Sequence, residues 1–231
     1  MIFSKKIKHM DSYVSTQIKN GIATLEFFHE KSNSFPFSQL KKLKKTLEEL
    51  GDEDDVRLII LKSKGEKVFC AGASFDELLT IDNAEAGEAF FSGFAEAIIA
   101  MKDCPKFIIA HVDGKALGGA VALLAACDYA LAPPPASPPS RLSELSIGIG
   151  PFVIEPAISR KIGVNAFSEL TLNPKDWMPA SWAKEKGLYN RVFSASSDLE
   201  KSCAEFAEQL SAYSPEAMRN LKSILWENTK D

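Results

Sequence analysis

Two glycine-bearing turns constrain this chain more than anything else in it: Phe69-Cys70-Ala71-Gly72-Ala73-Ser74-Phe75 and Ala116-Leu117-Gly118-Gly119-Ala120. Each follows a run with the character of a buried strand, and each opens into a helical pattern. The first amides of a helix have no intrahelical partner and carry the positive end of its dipole. The edge where parallel strands hand over to helices is also where open α/β sheets gather ligands. If the fold brings the two turns together, the amides of Ala73 and Gly119 converge on one oxygen atom and make an oxyanion hole. Taken singly, either stretch also suits an ordinary tight turn.

The rest of the pattern is that of an α/β chain with one core. Apolar residues at 14–18 and 22–28 flank Asn20-Gly21, a strong hairpin signal. After Pro36, Leu40, Leu43, Leu47 and Leu50 recur at helical spacing, and Gly51 is expected to stop that helix. Strands are expected at 57–61, 107–110 and 128–132, with helices at 84–101 and 118–127 between them, the arrangement of strand, crossover helix, strand units. Phe90, Phe91, Phe94, Ile98 and Met101 fall on the first of those helices as core or subunit contacts. A helix over 152–162 is interrupted early by Pro156, and from Ala180 the chain is helical apart from a brief strand at 191–193, closing with a helix over 215–226. The run Pro133-Pro134-Pro135-Ala136-Ser137-Pro138-Pro139 resists helix and central strand alike and reads as an exposed polyproline-like loop.

Composition narrows the function classes. With 231 residues and 45% hydrophobic content, one domain is the default, and a formal net charge of -4 offers no basic surplus for a nucleic acid. No segment has the length and apolarity of a membrane span, and the basic opening lacks a secretory signal's apolar stretch, so a cytoplasmic protein is expected. Residues 1–12 are taken as a tail and 13–231 as the domain, with Met1 and Met10 both open as the start. Cys70, Cys104, Cys127 and Cys203 stand singly in apolar contexts and read as core thiols. Neither they nor His9, His29 and His111 form a metal-ligand spacing, and no metal is expected.

Downstream of both turns comes Leu142-Ser143-Glu144-Leu145-Ser146-Ile147-Gly148-Ile149-Gly150-Pro151. A carboxylate set among leucine and isoleucine has its ionised form disfavoured and its pKa raised, which suits a general acid or base near neutral pH. Glu144 is therefore the catalytic candidate, against the plainer reading of a solvated glutamate at a strand end.

In this order, FCAGASFDEL, GKALGGAVALLAACD, LSELSIGIGPF and GLYNRVF resemble the crotonase superfamily, the enoyl-CoA hydratase/isomerase family, from about Tyr13 to Trp226. The resemblance implies a β-β-α superhelix with C-terminal helices, assembled as a homotrimer or dimer of trimers and binding an acyl-CoA thioester. Coenzyme A enters as part of the substrate, with no separate cofactor. The thioester oxygen would sit between the amides of Ala73 and Gly119, the turn carrying Ala71 would contact coenzyme A, and Ala71, Gly72 and Gly118 would bind substrate. Hydratases of this family carry two glutamates. Here the first position falls on Ala122 and only the second, Glu144, is acidic, which is similar to the family's isomerases with a single base. Glu155 would be a second acid if it points inward, against the plainer reading of a surface helix residue, and the chain ends at Asp231 where relatives run on into further helices, so a C-terminal truncation is expected. The alternative is a catalytically weak or inactive acyl-CoA binder. A Clp-like serine peptidase would need His111 beside an exposed serine, and Gly114-Lys115-Ala116-Leu117-Gly118-Gly119 does not match a dinucleotide-binding GxGxxG.

Overall fold

Asn20 and Gly21, both at positive φ (51° and 77°), turn strand β1 (Tyr13–Lys19) onto β2 (Ile22–Phe28) in an antiparallel hairpin. The structure, a computed structural model, describes residues 12–65, 67–132, 140–227 and 229. Residues 1–11 of the expected tail over 1–12, and the proline-rich loop over 133–139, lie outside the described residues. Helix α1 (Phe37–Asp52) buries Leu40, Leu43, Leu47 and Leu50 as their spacing predicts. Gly51 does not stop it. It lies inside the helix, where a Cβ would come within 3.2 Å of Pro105 Cδ, so the residue serves close packing rather than termination.

From there the chain repeats one unit three times. Strand β3 (Leu58–Ser63) leads into β4 (Val68–Cys70) and then helices α2 (Phe75–Leu78) and α3 (Ala84–Asp103). Strand β5 (Phe107–His111) leads into β6 (Lys115–Leu117) and α4 (Gly119–Ala126). Strand β7 (Tyr129–Ala132) precedes β8 (Ser140–Arg141), a 3-10 turn at Glu144–Ile147 and α5 (Glu155–Leu172). Helix α6 (Ala180–Glu185), strand β9 (Arg191–Val192), and helices α7 (Ser196–Ser211) and α8 (Pro215–Trp226) follow. One sheet has the order β1-β2-β3-β5-β7-β9, parallel beyond the first hairpin, and a second holds β4, β6 and β8, also parallel. Pro156 does not interrupt α5 but occupies its first turn, where its missing N–H costs nothing. The break comes later, at Gly163 with φ 79°.

The larger sheet is covered on both faces, as a parallel sheet requires. On β3 and β5, Ile59, Leu61, Ile108 and Ala110 face the main core, while Leu58, Phe107 and Ile109 face a second cluster with Leu199, Cys203 and Ala207 of α7 and Met218 of α8. All four cysteines are buried and unpaired, and burial pushes the thiols of Cys70, Cys127 and Cys203 up to about 12. Helix α4 is buried along its whole length. Its C-terminal end is held by two cations, where the helix dipole favours them: Arg160 donates to the Ala125 carbonyl at 2.8 Å, and Lys161 to the carbonyls of Cys127 and Asp128 at 3.0 and 3.2 Å. Among the described residues no helix is long and apolar enough to cross a membrane.

Candidate active site

Strands β4 and β6 are neighbours in the smaller sheet, with Val68 opposite Lys115 and Cys70 opposite Ala116, so the two glycine turns leave it side by side. Gly72 has φ 81°, and a Cβ built on it would lie 2.6 Å from the Leu117 carbonyl oxygen and 3.2 Å from the Gly119 nitrogen. Gly118 has φ 59°, and a Cβ there would lie 2.9 Å from Glu144 Oε1. Thus the structure brings Gly72, Gly118, Gly119 and Glu144 together, with Ala73 next in the chain. Any side chain at Gly72 meets main chain on the opposite turn while demanding a left-handed backbone. Gly72→Ala is accordingly expected to cost on the order of 3 kcal/mol of stability, read as a lowered urea midpoint with an unchanged slope.

The first turn is pinned around Ala73. The Phe35 amide donates to Gly72 O at 2.8 Å, Ser74 N donates to Phe35 O at 3.0 Å, Ala71 N to Ser32 O at 3.1 Å, and Gly72 N to Cys70 Sγ at 3.3 Å. In the second turn Gly118 N donates to Arg141 O at 2.9 Å and Gly118 O accepts from Val121 N at 2.9 Å. Among the described hydrogen bonds, the Ala73 and Gly119 amides have no acceptor. Ser74 and Glu77 have capping-box spacing, and Ser74 Oγ accepts from Glu77 N at 3.3 Å. The Glu77 carboxylate instead crosses to accept from Phe37 N at 2.8 Å, tying α1 to the same turn.

Glu144 begins the 3-10 turn after β8. Burial raises its pKa, opposed by the backbone amides of Glu144 and Ser143 and by the Arg141 charge, and its Oε2 is buried without a hydrogen-bond partner. Of the apolar neighbours in sequence, Leu142 is buried while Leu145 and Ile147 are 43% and 49% exposed, and Glu144 Oε1 lies against the Gly118 turn. Arg141 stays nearby with its guanidinium 4.4 Å from the Trp177 ring.

Ala122 is fully enclosed on α4, so no second carboxyl stands there. Glu155 is the half-buried first residue of α5, and no described hydrogen bond or ion pair joins it to the turns. His111, which the peptidase reading needed, lies between Asp113 (Nδ1 to Oδ2 3.2 Å) and Glu200 of α7 (Nε2 to Oε2 3.1 Å). Among the described residues no cluster of His, Cys, Asp or Glu suits a metal ion.

Three supports escaped sequence reasoning. Asn33, at φ 55°, donates to the carbonyls of Lys64 and Val68 at 2.9 Å each, holding the start of β4. Phe35 clamps the first turn by its backbone, and Arg160 with Lys161 anchors α4. Only the Ser74-x-x-Glu77 spacing left a local signal, because the others depend on partners about 30 or more positions away.

Two parallel-stranded layers wound from three strand–strand–helix repeats, with paired glycine turns at the edge of the smaller one, define a crotonase-type fold. The comparisons with known proteins agree, and the chain belongs to the Enoyl-CoA hydratase/isomerase family, whose model matches residues 17–231. It is 28% identical to a peroxisomal Delta(3,5)-Delta(2,4)-dienoyl-CoA isomerase of Arabidopsis thaliana, over 94% of this chain and 83% of that one. It is 29% identical to the mitochondrial methylglutaconyl-CoA hydratase of Homo sapiens, over 82% of this chain and 56% of that one. The crystal structure of an enoyl-CoA hydratase from Bacillus anthracis superposes with a TM-score of 0.84 at 28% identity, covering 93% of this chain and 82% of that one.

Proposed function

We propose that this family member is an acyl-CoA thioester enzyme of isomerase type, in which the amides of Ala73 and Gly119 polarise the thioester oxygen and Glu144 alone moves the proton. The observation that carries the reading is the approach of Glu144 Oε1 to Gly118 beside the Gly72–Gly119 contact. Preorganised amides aimed at a developing oxyanion stabilise the enolate without a metal. In a 3-enoyl thioester, the Glu144 carboxylate takes the C2 proton. The C2–H electrons spread over the C3=C4 bond and the thioester oxygen, and the same carboxyl returns the proton at C4. Addition of water across a 2-enoyl thioester calls for a second group to orient the water, and Ala122 cannot serve.

The turn of Ala71 and Gly72 is the proposed coenzyme A contact. A homotrimer or dimer of trimers and a cytoplasmic setting belong to the same proposal, resting on the family resemblance and on composition. No nucleic acid or membrane partner is proposed. A second reading, an acyl-CoA binder with little catalysis, draws on the missing carboxyl at Ala122. Turnover of purified protein with 3-enoyl and 2-enoyl CoA thioesters tests both. Migration of the double bond outpacing hydration is the expected result. Faster hydration overturns the isomerase assignment, and thioester binding without turnover above a Glu144→Gln control selects the binder.

A further inference from the structure

The two amides lie on separate turns, and an oxyanion hole works only if their spacing is held. The second turn is braced from one side by an aromatic ring: a Cβ on Gly119 would fall 2.4 Å from Phe94 Cε1, 2.6 Å from Cζ and 2.7 Å from Cδ1. Phe94 projects from α3, is only 5% exposed, and meets Phe35 edge to face, with centroids 6.4 Å apart and planes at 87°. Phe35 is 1% exposed and is the residue whose main chain grips the first turn, through Gly72 O and Ser74 N on either side of Ala73. Its ring is backed by Phe27 at 4.8 Å, and Phe27 in turn by Phe69 of β4 at 5.4 Å. A continuous path therefore runs from the first turn through Phe35 and Phe94 to the second.

We infer that Phe35 and Phe94 are positioning residues, an aromatic strut that sets the distance between the Ala73 and Gly119 amides. The inference rests on the oxyanion reading proposed above. Phenyl rings have two side-chain torsions and fill a close-packed interior, so the strut resists compression from either side. Leucine in place of Phe94 leaves a gap on one flank of the Gly119 turn, and leucine in place of Phe35 leaves a gap behind Phe94; in both cases the second turn relaxes into it. Misplacement of a donor by a fraction of an ångström lowers the rate while leaving ligand binding largely intact.

The test uses the full chain, a 3-enoyl-CoA thioester for turnover, and a 2-enoyl-CoA thioester carrying carbon-13 at the carbonyl, whose infrared stretch moves down when the oxygen is polarised. In Phe94→Leu the downshift on binding is expected to shrink and kcat to fall about tenfold, with KM within about twofold of wild type. Phe35→Leu keeps the main-chain grip and is expected to act in the same direction. It carries the comparison should Phe94→Leu not fold. The double variant is expected to lose no more than Phe94→Leu alone, since both remove one strut. Phe107→Leu deletes the same atoms from the second cluster, on the other face of the sheet, and is expected to lower stability with the downshift intact. A full downshift and wild-type kcat in folded Phe94→Leu and Phe35→Leu overturn the strut, as does an equal loss in Phe107→Leu. Absence of any downshift in the wild type overturns the oxyanion reading itself.

Discussion

Replacing Glu144 by glutamine is expected to lower kcat by about 10²–10⁴-fold while thioester affinity stays close to that of the wild type. Glutamine keeps the shape of the side chain beside Gly118 but cannot accept a proton at C2. The wild-type rate should depend on pH in a matching way. Burial holds the carboxyl above its usual 4.5, and the base works only when ionised, so activity falls as pH drops through that raised value. Stability moves in the opposite sense. A carboxyl whose pKa is raised by folding supports the fold fully below its unfolded pKa and loses that support as pH rises through the folded one. Glutamine is neutral throughout, so the variant should melt above the wild type at about pH 8, with the difference closing towards about pH 4. Turnover profiles and thermal unfolding of the two proteins measure this, and a wild-type rate in folded Glu144→Gln would remove the residue from the chemistry.

The second large effect is expected at Gly119. Gly119→Pro deletes one of the two donors, and losing one oxyanion-hole donor costs about 10²–10³-fold in kcat. Proline suits the first residue of a helix, which is where Gly119 stands in α4, so the helix itself should survive. The ring must still displace Phe94, whose Cε1 would lie 2.4 Å from the new Cβ. Gly119→Ala brings the same Cβ into the same ring while keeping the N–H. It is therefore expected to lose less activity than Gly119→Pro at similar stability. Equal losses in the two would show that the amide itself is not the working group.

Much of the architecture was legible in the chain because its signals are local. The Asn20-Gly21 hairpin, the leucine spacing of α1, the buried runs that became β3, β5 and β7 and the apolar α4 all follow from turn chemistry and periodicity. The strands of the smaller sheet have three or two residues each, too short for a period to register, and their pairing spans more than 20 positions. Gly51 and Pro156 depart from their local signals for a related reason. A glycine or proline signals a bend in isolation, yet packing against Pro105 keeps Gly51 helical, and a helix start absorbs Pro156.

The sequence by itself determined which residue types were on offer: two glycine turns opening helices, Glu144 shortly after β8, and alanine at position 122 where the family resemblance puts a second acid. Only the tertiary structure decided that Gly72 faces Gly119, that Glu144 rests against Gly118, and that its carboxyl is buried while Leu145 and Ile147 stay exposed. The physical reason is that desolvation and donor spacing depend on distances across the fold. Those distances follow from contacts such as β4 pairing with β6, Phe35 bonded to the first turn and its ring meeting Phe94 beside Gly119, and a linear pattern of side chains does not encode them.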